Sequence, residues 1–224
     1  MKSLPQSPQG VLFDLDGTLL DSAPDLHAAL VAYCSEVGAP PAPYTKVREV
    51  VSRGSRAILR CAFDESDEAL FERMPRYLEL YHSMMTRHTR PFEGIDPLLD
   101  ALESNGLAWG IVTNKPAYLT DDLIHQIGWS KRACAVISGD TLPVRKPDPA
   151  PVLLACERAG LDPAQCLFVG DDRRDVQAGN SAGLYSVAVH WGYLDGGDPY
   201  AWGADVVLEH PRQLAELLKL KVPA

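Results

Sequence analysis

Apolar positions recur along this chain with two periods. Short runs rich in Val, Ile, Leu and Phe, "VLFD", "AWGIVTN", "CAVISG", "CLFVGD", "YSVAVHW" and "DVVLEH", read as buried strands. Between them, "GIDPLLDALESNG", "AYLTDDLIHQIG", "DPAPVLLACERAG" and "RRDVQAGNSAG" carry apolar residues at helical spacing. Strands alternating with helices in this way predict an α/β fold, a Rossmann-like doubly wound parallel sheet with helices on both faces.

One connection departs from the alternation. Between "GTLLDS" and "RPFEGI" lie about seventy residues without a convincing strand, far more than an ordinary βα connection needs. "APDLHAALVAYCSEVG", "YTKVREVVSRGSRAILRCAF" and "ALFERMPRYLELYHSMMTRH" read as amphipathic helices. The economical interpretation is an all-helical cap domain, residues 21–90, inserted into a core formed by residues 1–20 and 91–224. In an open parallel sheet the exit point lies at the carboxyl edge, where ligands bind, so the insert is expected to sit over the site.

Candidate chemistry begins at "VLFDLDGTLLDS", where Asp14 and Asp16 directly follow a buried run. Unpaired buried carboxylates are costly, so a cation is expected beside them. The same edge rule places Thr113 and Asn114, Lys146 of "VRKPDP", and Asp171 with Asp172 just beyond three further strands. Each has a plain alternative: solvated turn acids, a helix cap at Thr113-Asn114, a surface lysine.

The 224 residues, 46% hydrophobic and 23% charged, have ordinary globular composition. A net charge of -9 argues against nucleic acid or an anionic membrane as the main partner. No stretch is apolar enough to span a bilayer and "MKSLPQSPQ" is polar, which reads as a cytoplasmic protein. The five cysteines lack C-x-x-C spacing and are expected to be buried free thiols. The six histidines fall in no motif position, and Trp191, Tyr193 and Trp202 read as packing for the last strand and its loop.

In order, and around a helical insert, "DLDGT", "VTN", "KPDPAP" and "GDDRRD" resemble the haloacid dehalogenase (HAD) superfamily of phosphohydrolases, over nearly the whole chain. Within it, "TNKP", "KPDPAPVLLACERAG" and "FVGDDRRDVQAGNSAG" look most like the phosphoglycolate phosphatase group. The resemblance implies Mg²⁺-dependent hydrolysis of a small-molecule phosphate monoester through an aspartyl-phosphate, by a monomer or homodimer. Asp14 would be the nucleophile and a metal ligand. Asp16 would exchange protons with leaving group and water while its backbone carbonyl binds the metal, and Asp171 would complete the ligands. Asp172 stays outside the metal set.

By the same resemblance Thr113, Asn114 and Lys146 would hold the phosphoryl oxygens. Gly17 would give the tight turn after Asp16 and the Thr18 hydroxyl would fix it, while Asp175 would act on metal-bound water or on Lys146. In the insert, Arg53, Gly54 and Arg56 would face the crevice and select the leaving group, an arginine gripping a carboxylate, unless both arginines are merely solvated. The default substrate is 2-phosphoglycolate. The alternative is N-acetylmuramic acid 6-phosphate, because "GDPYAWGADVVLEHP" and "VSRGSRA" also resemble phosphatases of that amino-sugar phosphate. A phosphomutase is less favoured because "TNKP" and "GDDRRD" look hydrolase-like, and a non-catalytic binding module because Asp14, Asp16, Lys146 and Asp171 are intact. Carbon–halogen cleavage needs neither Mg²⁺ nor a proton donor at Asp16.

Overall fold

A computed structural model describes residues 2–221. From the N-terminus run β1 (Gly10–Phe13) and β2 (Leu20–Asp21), then helices α1 (Ala23–Val37), α2 (Tyr44–Arg48), α3 (Ser55–Arg60) and α4 (Asp67–Met84). The chain returns through β3 (Arg90–Pro91) and continues with α5 (Ile95–Ser104), β4 (Ala108–Val112), α6 (Ala117–Ile127) and β5 (Val136–Ile137). Next come α7 (Ala150–Ala159), β6 (Cys166–Gly170), α8 (Arg173–Ser181), β7 (Tyr185–Val189), β8 (Val206–Leu208) and α9 (Pro211–Leu217).

Six strands form one parallel sheet in the order β5-β4-β1-β6-β7-β8. β1 is buried at every position because it lies inside this sheet with apolar layers on both faces. Val11 and Phe13 join the larger core, with Ile111, Leu167 and Val187, whereas Leu12 joins the opposite one, with Val112, Val152 and Phe168. That is the period-two alternation of a strand. Strand order reverses at β1, so the carboxyl ends of β1 and β6 border the crevice where doubly wound sheets bind ligands.

The helical segment leaves through β2 and returns through β3, which pair antiparallel at Leu20↔Pro91 and Asp21↔Arg90. Buried Asp25 in the first turn of α1 accepts the backbone N–H groups of His88 and Thr89 (3.0 and 2.8 Å) and the Thr89 hydroxyl (2.8 Å), tying entry to return. The helix expected across "YTKVREVVSRGSRAILRCAF" is broken into α2, a 3₁₀ turn at Val51–Arg53 and α3. Gly54, at φ 82° and ψ −178°, adopts a conformation that side chains exclude, and it separates the turn from α3. No described helix is long and apolar enough to cross a membrane. All five cysteines are free, but only Cys34, Cys156 and Cys166 are buried; Cys61 is half-buried and Cys134 exposed, contrary to the expectation for those two.

Candidate active site

Three carboxylates converge at the carboxyl edge. Asp14 directly follows β1, Asp171 directly follows β6, and Asp175 lies in the first turn of α8; an oxygen from each lies within 4.8 Å of the others. The Lys146 ammonium reaches Asp14 Oδ1 at 2.7 Å, Asp175 Oδ1 at 2.8 Å and the Val112 carbonyl at 2.7 Å. Burial works against a charge there, but Asp14 and Asp175 outweigh it and hold the ammonium above the usual lysine range. Asn114 pins the backbone of Lys146 from both sides: its Nδ2 donates to the Lys146 carbonyl (3.0 Å) and its Oδ1 accepts from the Lys146 N–H (3.1 Å).

Asp171 is fully buried and touches no cation among the described residues. It accepts the Thr18 hydroxyl at 3.0 Å and the Tyr193 backbone N–H at 2.8 Å. Burial, with Asp14 and Asp175 adding repulsion, pushes its carboxyl well above the ordinary carboxylate range. With all three acids ionised, one ammonium leaves two negative charges unbalanced. Clustered hard oxygen donors with that surplus fit a Mg²⁺ ion.

Thr18 therefore serves Asp171 rather than the turn at Gly17. Asp172 is occupied structurally: its carboxylate caps α8 and pairs with Arg174, while Asp175 Oδ2 accepts the Asp172 N–H at 3.1 Å. Gly17, at φ +93°, is packed so closely that a Cβ would lie 2.2 Å from Asp171 Oδ2. Gly17→Ala is expected to cost about 3 kcal/mol, strain and clash together. Denaturant unfolding checks it, and an unchanged midpoint would contradict this packing.

Asp16 stands outside the three-acid cluster but lines a cavity together with Asp14 and Asp175. Its Oδ1 accepts the Ser22 hydroxyl at 2.5 Å, and Lys115 Nζ lies 3.2 and 3.1 Å from its two oxygens. Lys115 also donates to the Tyr81 hydroxyl of α4 at 2.8 Å. Lys115 lies outside the residues expected from the sequence, although "TNKP" sets its cation directly after Thr113 and Asn114. Tyr193 packs in the larger core as expected, and in addition its N–H holds Asp171 and its hydroxyl accepts the Ser22 and Ala23 N–H groups (2.8 and 2.9 Å).

A cavity of about 510 Å³ lies between the carboxyl edge of the sheet and the helical segment. Thr113 lines it from the core, and Arg53, Gly54 and Arg56 line it from the segment. Both arginines have acidic partners: Arg53 bonds Asp195, and Arg56 lies 3.4 Å from Asp67. Ser52 Oγ, beside them, is buried without a hydrogen-bond partner among the described residues.

Residues 11–189 match the family model described as haloacid dehalogenase-like hydrolase. A phosphoglycolate phosphatase of Xanthomonas campestris pv. campestris is 48% identical over 211 residues, covering 93% of this chain and 96% of that protein. Two proteins of Pseudomonas aeruginosa also match. Its N-acetylmuramic acid 6-phosphate phosphatase is 43% identical (94% of each chain), and its phosphoglycolate phosphatase 1 is 35% identical (92% of this chain, 78% of that one). The crystal structure of a predicted phosphoglycolate phosphatase from Haemophilus somnus superposes with a TM-score of 0.85 at 26% identity, over 94% of this chain and 98% of that one. Since the matched residues run through the sheet to β7 and include all four acids, Asp14, Asp16, Asp171 and Asp175, the chain belongs to the haloacid dehalogenase-like hydrolase family.

Proposed function

We propose that this phosphatase is Mg²⁺-dependent, uses Asp14 as its nucleophile, and acts on N-acetylmuramic acid 6-phosphate. The substrate rests on one observation: the chain is nearer to the amino-sugar phosphatase of Pseudomonas aeruginosa than to the phosphoglycolate phosphatase of the same bacterium. The roomy cavity and the unpartnered Ser52 hydroxyl agree with a leaving group larger than a two-carbon acid and rich in hydroxyls. The second reading, 2-phosphoglycolate, is supported by the name of the more similar Xanthomonas relative.

In this reading an Asp14 oxygen attacks phosphorus, and the bond to the leaving oxygen breaks as that oxygen takes a proton from Asp16. Water then attacks the phosphoryl group, gives its proton to Asp16, and returns Asp14 to the carboxylate. Lys146, 2.7 Å from Asp14, offsets charge during both transfers, while Thr113 and the Asn114 N–H hold phosphoryl oxygens. Asp14, Asp171 and the Asp16 backbone carbonyl would hold Mg²⁺, which when bound supplies the positive charge that lets an anionic nucleophile meet an anionic ester. Arg53, Gly54 and Arg56 would contact the leaving group, with the arginines exchanging their carboxylate partners for the substrate's.

The test is kcat/KM for both substrates with Mg²⁺. The amino-sugar phosphate is expected to lead by at least about tenfold, or roughly 1.4 kcal/mol of transition-state binding. A lead for 2-phosphoglycolate would install the second reading, and turnover of neither would remove both.

A further inference from the structure

We infer that Lys115 is a positioning residue for Asp16, and that Tyr81 of the helical segment holds Lys115 in place. The inference rests on the reading of Asp16 as the group that exchanges protons with leaving group and water.

The contacts around Lys115 are complete and specific. Its side chain is only 6% exposed, and its ammonium finds three acceptors: both oxygens of Asp16 and the Tyr81 hydroxyl. An ammonium carries three donors, so each is matched. Asp16 is its one acidic partner among the described residues. The ammonium also lies 4.6 Å from the centroid of the Tyr81 ring, within cation–π range, and Tyr81 is fully buried. Lys146, by contrast, engages Asp14 and Asp175, so the two site lysines divide the carboxylates between them.

A proton donor works only within hydrogen-bond reach of the oxygen it serves. Asp16 has two rotatable side-chain bonds and is 18% exposed, so nothing in its own covalent structure fixes the plane of the carboxylate. Lys115 touches both oxygens and Ser22 touches one, which together define that plane. Lys115 directly follows Thr113 and Asn114 in the loop after β4, and the Thr113 hydroxyl accepts its N–H at 3.2 Å. The segment that would hold the phosphoryl oxygens therefore also holds the proton-handling acid. When the bond to the leaving oxygen breaks, its electron pair takes the Asp16 proton, and misplacing Asp16 penalises oxygens that most need that proton.

The test compares p-nitrophenyl phosphate with phenyl phosphate on Lys115→Met, Lys115→Arg and Tyr81→Phe. Both esters lack a carboxylate and a sugar, so contacts with the helical segment cancel; phenolate is the poorer leaving group and depends more on proton donation. Lys115→Met is expected to lose about 10–100-fold in kcat/KM on phenyl phosphate and no more than about threefold on p-nitrophenyl phosphate. Lys115→Arg is expected to recover part of the loss, and Tyr81→Phe to shift the ratio in the same direction by less. Tyr81→Phe removes a single hydroxyl, so it decides the matter if Lys115→Met fails to fold by circular dichroism. Parallel losses on the two esters, or no change on either, would overturn the role. Absence of Mg²⁺-dependent hydrolysis in the unaltered protein would instead overturn the phosphatase chemistry beneath it.

Discussion

Asp14→Asn is expected to yield a folded protein without measurable turnover. Asparagine fills the same volume but offers no anionic oxygen to phosphorus, so a fall in kcat on the order of 10⁴–10⁶ follows. The fold should survive, because Lys146 keeps its contact to Asp175 at 2.8 Å and one of three crowded carboxylates loses its charge. Melting temperature and kcat on p-nitrophenyl phosphate check both halves. Turnover within a hundredfold of the original, in a variant that melts normally, would remove Asp14 as nucleophile.

The second large effect concerns Asp171 and the metal. Excess chelator is expected to abolish turnover and Mg²⁺ to restore it. At a hundred times its dissociation constant Mg²⁺ should stabilise the protein by about 2.7 kcal/mol, a rise of about 5–10 °C in Tm. Asp171→Asn should lose turnover by about a thousandfold or more and show no such rise. Its metal-free form should melt above the metal-free original. The sign follows from the carboxyl group, which burial and its acidic neighbours hold well above the usual range: an acid whose pKa rises on folding costs stability at every pH above its unfolded-state value, and the amide, which does not titrate, is free of that cost. Full activity in chelator, or a retained Mg²⁺ shift in the variant, would contradict the ligand set.

The sheet was legible because its strands are buried on both faces. Val11 to Phe13 and Leu167 to Val169 are continuous apolar runs, the first ending directly in Asp14 and the second followed by Gly170 and then Asp171, so strand and site are legible together. The β2–β3 pair was not legible, since two residues per strand are too few to show a period. The break at Gly54 was missed because apolar spacing continues on both sides of it. Lys115 escaped notice because its meaning lies in a contact to Asp16, 99 positions away. Tyr193 acts on Asp171 through its backbone N–H, a group nearly every residue type carries, so no side-chain pattern could reveal it.

The short β2–β3 ladder has a consequence for how such a protein can change. It brings the ends of the helical excursion to one strand spacing, about 4.8 Å, so the core meets that excursion as a loop already closed. The entropy of closing a loop grows only with the logarithm of its length. Helices can thus be lengthened, shortened or exchanged above the ladder at little cost to the sheet below it, and the carboxyl edge of the sheet and the helical segment can accumulate substitutions on separate schedules. The exception is where the two are stitched side chain to side chain, as at Tyr81 and Lys115, and there a graft of a foreign helical segment would need its own tyrosine.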